Sequence, residues 1–128
     1  MAELLIISET GMFHSACRCT WGTRVEWYGF KPIAHRRPAG QGFVDTSDRT
    51  SQINHQVSFT VNDTALLLAV DTVRTQYRDA EYILGVKDCV SFSADLAWNA
   101  GLTVAHVNLT PYGFIRYIAA LNQHGAMS

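Results

Sequence analysis

At 128 residues the chain fits one compact domain, long enough to bury a sizeable core without disulfides or metals. Hydrophobic residues make up 48% of it and charged residues 16%, a balance that excludes a disordered chain. The formal net charge of −1 removes the electrostatic case for nucleic acid or an anionic membrane surface as partner.

Met1-Ala2-Glu3 opens with an acid rather than a basic segment, and Leu4-Leu5-Ile6-Ile7 is too short for a signal-peptide core. No signal peptide is therefore expected, which fits a cytoplasmic protein or one exported by a signal-independent route. Leu4 to Ser8 is a short apolar run suited to a central strand. Met12 to Thr20 and Arg24 to Phe30 flank Trp21-Gly22-Thr23 and predict an antiparallel hairpin. Residues 31–52 carry Pro32, Pro38, Gly40, Gly42, Asp45, Ser47 and Asp48, the punctuation of a long loop. Within it His35-Arg36-Arg37 reads as a solvated turn. Ile53 to Val61 alternates, with Ile53, Val57, Phe59 and Val61 expected on one buried face.

The rest of the chain has helical spacing. Asn62 or Asp63 caps a helix running to about Arg78, with Leu66, Ala69, Val73 and Tyr77 inward. Asp88 caps a second helix from about Cys89 to Asn99, ended at Ala100-Gly101. Thr110-Pro111 opens a third, whose apolar stripe is Phe114, Ile115, Ile118 and Leu121. The expected architecture is a single α+β domain, an antiparallel sheet of about four strands packed against about three helices. The longest apolar run, Ala65 to Val70, cannot span a bilayer, so no membrane insertion is expected.

Three cysteines leave at least one thiol unpaired, against a disulfide framework. Cys17 and Cys19 would share a strand face, where neighbours two apart bridge poorly. A Cys-x-Cys pair without a second ligand pair is also a poor zinc site, and neither metal nor cofactor is expected.

Cys89 is the most informative position. In Val86-Lys87-Asp88-Cys89-Val90-Ser91-Phe92 it falls in the first turn of a helix. Free backbone N–H groups and the positive end of the dipole there favour thiolate, and the same groups suit the oxyanion of a tetrahedral intermediate. His14 lies on the first hairpin strand, where a histidine can be held rigidly as a general base. His55, at the inward parity of its own strand, is the strongest alternative; His35, His106 and His124 are weaker ones. Glu26 on the second hairpin strand can orient the base, with Arg24 and Tyr28 on the same face as alternatives.

These elements resemble a known family. His14-Ser15-Ala16 in the first hairpin, followed by Val25-Glu26-Trp27-Tyr28-Gly29-Phe30-Lys31-Pro32, is similar to the histidine-bearing strand pair of circularly permuted NlpC-type, papain-like enzymes. Tyr82-Ile83-Leu84-Gly85-Val86-Lys87-Asp88-Cys89-Val90-Ser91-Phe92 resembles their Tyr-x-Leu and Asn-Cys-x-x-Phe element, with Asp88 where asparagine is frequent. Gly101 and Thr110-Pro111 match the usual ending, and histidine before cysteine is the permuted order of lecithin:retinol acyltransferase-like proteins. The resemblance runs from about Gly11 to Leu121 and implies a papain-like fold. It makes Cys89 the nucleophile, His14 the base and Glu26 the third polar group. It further implies a cysteine hydrolase, first a peptidoglycan amidase or endopeptidase, as in an antibacterial effector toxin with an immunity or carrier protein. The alternatives are a lipid-directed acyltransferase or phospholipase of the same fold, and a non-catalytic binding module.

Overall fold

The computed structural model describes residues 1–10, 14–34, 39–104 and 110–122, and the backbone of 126–127. The apolar run near the start forms β1 (Ala2–Glu9), and the hairpin follows as β2 (Ser15–Trp21) and β3 (Arg24–Pro32). The stretch expected to be loop contains β4 (Ala39–Asp45) and a short 3-10 turn, Thr50–Gln52. Then come β5 (Ile53–Val61), α1 (Asp63–Tyr77), β6 (Glu81–Ile83), α2 (Cys89–Asn99), α3 (Pro111–Leu121) and β7 (Ala126–Met127). The fold is α+β, with one sheet in the order β6-β4-β3-β2-β1-β5-β7 and every described pairing antiparallel.

The seven strands exceed the four or so expected, because three are weak in sequence. β4 is Ala-Gly-Gln-Gly-Phe-Val-Asp, whose glycines mask its alternation. Gly42 is there for space: a side chain on it would run into the ring of Phe30. β6 and β7 are three and two residues long, too short for any periodicity.

Alternation sorts the sheet into two faces. Leu4 and Ile6 of β1, Cys17 and Cys19 of β2, Tyr28 and Phe30 of β3, and Val57, Phe59 and Val61 of β5 join the main core beneath the helices. Ile6 pairs with both Cys17 and Val57, so the apolar rows run straight across the strands. Leu5, Ile7, Ala16 and Trp27 form a smaller cluster on the other face. Ile53 packs there too, away from Val57, because the β1–β5 register shifts between Ser8 and Glu9.

Each helix begins as its sequence requires. Asn62 Oδ1 accepts from Ala65 N at 3.0 Å, and Thr110 Oγ1 accepts from Gly113 N at 3.0 Å with Pro111 opening the helix. Thr110→Ala is expected to cost about 1 kcal/mol in a urea titration, with no change in slope. Buried residues of α1 are Leu66, Ala69, Val70, Val73 and Tyr77, and those of α3 are Pro111, Phe114, Ile115 and Ile118. Leu121, expected inward, is 37% exposed, since the helix ends there. No helix among the described residues is long and apolar enough to cross a membrane.

Candidate functional site

Cys89 is the first residue of α2, and Asp88 before it is the cap. The Asp88 carboxylate accepts from Val90 N and Ser91 N at 3.0 Å each and from Gly85 N at 2.7 Å. In return Asp88 N donates to Ser91 Oγ at 2.8 Å, completing a capping box. The acid beside the thiol is therefore spent on the helix start.

The thiol lies between the helix and β2. Backbone hydrogen bonds from Ser15 and Val90 and the Tyr82 hydroxyl all favour its thiolate form. Burial outweighs them: Cys89 is 0% exposed, and desolvation, with the Asp88 charge adding to it, pushes the thiol up to about 12. Beneath it Ser15 Oγ and Ser93 Oγ lie 2.8 Å apart, and Cys17 Sγ donates to Ser93 Oγ at 3.5 Å. Cys17 and Cys19 share a face as expected, and none of the three cysteines is in a disulfide. Burial pushes Cys17 up to about 12 and raises Cys19 further.

His14 immediately precedes β2, and the peptide joining it to Ser15 is the one that serves the thiol. Its imidazole goes the other way. Nε2 lies 3.1 Å from Glu9 Oε2, and the ring rests over Gly29, where a side chain would come within 3.2 Å of Nε2. Glu9 and Gly29 belong to the sheet face of Leu5 and Trp27, opposite the helices. The structure therefore does not bring the His14 imidazole and the Cys89 thiol together.

The surroundings of His14 are charged and closed. Arg49 Nε donates to Glu9 Oε1 at 3.1 Å, with Nη2 on the same oxygen, and Lys31 Nζ meets Asp45 Oδ2 at 3.0 Å. Burial, then Lys31 and Arg49, push the imidazole down to about 3 against the opposing pull of Asp45, so the ring is neutral.

Glu26 does not orient this histidine. It pairs across the sheet with Cys19, four residues along β2 from Ser15 and so about 13 Å away. Its carboxylate is occupied by the Tyr28 hydroxyl at 2.5 Å and by Arg24, and these bonds hold it below the usual range. The expected alternatives Arg24 and Tyr28 are thus its partners rather than its substitutes. A cleft lined by Val25, Glu26, Tyr28, Asp48 and Arg74 opens beside it, remote from Cys89.

The alternative base, His55, does face the helices. It pairs with Ser8, which pairs with Ser15, so it stands two strands, about 10 Å, from the strand beside the thiol. Its ring stacks on Tyr112 of α3 at 4.0 Å between centroids. His35, Arg36, Arg37, His106 and His124 lie outside the described residues. Among the described residues no cluster of metal-ligating side chains forms.

Sequence reasoning missed Glu9. The signal was an acid closing a mainly apolar strand, five residues before the histidine. Asp45, placed in a loop, is instead the last residue of β4. No family model matches the chain, and neither the curated proteins nor the solved structures give a match.

Proposed function

We propose that this chain is a thiol-dependent hydrolase of papain-like fold, in which Cys89 attacks an amide carbonyl and His14 carries the proton. The peptide part of bacterial peptidoglycan is the first substrate class. The observation that supports this reading is the seat of Cys89: first position of a capped helix, its sulfur met by backbone hydrogen bonds from Ser15 and Val90. Those groups stabilise a thiolate before attack and suit a developing oxyanion after it. The peptide next to His14 already touches the sulfur, so the base has only to present its ring on the helix side. Glu26 has no part in this reading, being held by Arg24 and Tyr28.

A non-catalytic binding module of the same fold is the second reading. The complete burial of Cys89 and its raised thiol favour it. Iodoacetamide labelling between about pH 5 and pH 9 separates the two, since an armed thiol reacts below its ordinary pKa of about 8.5. For the hydrolase, Cys89 labels about tenfold or more faster than Cys17 and Cys19 near neutral pH, and His14→Ala removes that advantage. Equal rates at the three cysteines, unmoved by His14→Ala, leave the binding module.

A further inference from the structure

The contact between His14 and Glu9 is close but unfulfilled. Both side chains are deeply buried, at 5% and 0% exposure, yet Nε2 and Oε2 at 3.1 Å are not aligned as a hydrogen bond. Neither atom has another hydrogen-bond partner. Buried polar atoms left this way cost free energy, so the surroundings must impose the arrangement. Three features do so. Arg49 takes Oε1 through Nε and Nη2, fixing the carboxylate with Oε2 toward the ring. Gly29 leaves the space that the ring fills, and the Lys31–Asp45 pair stands nearby. His14 itself lies outside the β2 ladder, with its carbonyl accepting from Glu9 N at 3.1 Å. To reach the helix side the ring would have to turn at the His14 backbone and side-chain bonds, outside the β2 ladder.

We infer that Glu9, fixed by Arg49, holds the His14 imidazole in a resting position away from Cys89, and that its release arms the thiol. This regulation rests on the reading of Cys89 as nucleophile. No bond is made or broken in the switch; the ring exchanges a carboxylate neighbour for the sulfur and then accepts the thiol proton. Glu9 is thus a positioning residue acting through His14, and weakening its hold should speed the chemistry.

The test is the alkylation rate of Cys89, located by peptide mapping, in the full chain. Wild type, Glu9→Gln and Gly29→Ala are compared, each with and without His14→Ala. The glutamine loosens the Arg49 anchor, and the alanine methyl crowds the resting ring directly. Expected is a rise of about tenfold in both single variants, abolished when His14 is also replaced. If Glu9→Gln fails to fold, Gly29→Ala carries the same comparison. A His14-dependent wild-type rate that is unchanged or slower in the variants overturns the restraint and leaves the nucleophile standing. A Cys89 rate indifferent to His14 in every background overturns both.

Discussion

Phe30→Ala is expected to lower the unfolding free energy by about 3–5 kcal/mol, enough to remove a large share of the stability of a domain this size. The ring is 0% exposed and sits where the sheet meets the helix layer. Its edge meets Tyr77 of α1 at 4.9 Å between centroids, and Tyr82 of β6 lies tilted at 5.5 Å. Tyr77 in turn meets Phe92 of α2 at 5.0 Å. Truncation leaves a cavity that these rings cannot close, because the Tyr77 hydroxyl is tied to Asp95 Oδ2 at 2.6 Å and Ser91 Oγ at 3.1 Å. Phe30→Leu, which keeps most of the volume, should cost less than half as much. Urea titrations of both variants provide the check; equal costs would mean that volume at this site is unimportant.

The second large effect is a loss of stability in acid traceable to His14. The unfolded imidazole has its ordinary pKa of about 6.5, while burial, Lys31 and Arg49 push the folded one down to about 3. Below about pH 6.5 the unfolded chain takes up a proton that the folded chain refuses, so stability falls as pH falls through this window. Above it the contribution is fully present. The linkage amounts to about 2 kcal/mol by pH 5 and about 3 by pH 4. The charges facing the ring come from every element around it: Glu9 on β1, Lys31 on β3, Asp45 on β4 and Arg49 before the 3-10 turn. His14→Gln keeps a neutral polar group and should flatten the pH dependence of the urea midpoint between about pH 4 and 6.5. A variant as acid-sensitive as wild type would assign that sensitivity to other groups.

What the sequence made legible follows from how each element is encoded. β1, β5 and the three helices announce themselves by apolar spacing and by caps, because hydrophobic period and terminal hydrogen bonds are local properties. Asp88 was readable as a cap, and Cys89 therefore as a first-turn residue, before any tertiary contact was known. β4 was illegible because its glycines answer to the neighbouring strand, as Gly42 does to the Phe30 ring. Ile53 was assigned to the wrong face since a register shift is a property of the pairing between strands. The same reason hid the surroundings of His14. Parity alone puts a residue on a face, but His14 lies just outside β2, and its ring follows Glu9 and Gly29, residues on two other strands. Glu26 failed in the opposite way: it lies on the second hairpin strand as expected, but register carries it opposite Cys19 rather than beside His14.

The position of β1 in the sheet has a consequence for how the chain must fold. β1 pairs locally with β2 through a short connection, yet its other edge waits for β5, with Leu5 opposite Ser58. Local hairpins close in about microseconds, whereas pairings between distant segments set the slow rates of such topologies. While the chain is being made, Leu4-Leu5-Ile6-Ile7 emerges with one backbone edge bare and no charge within the run. That is the composition of a segment prone to pairing with copies of itself. Glu3 and Glu9, which bracket the run, are charges of the kind that keep such a segment from pairing with its own copies before β5 arrives.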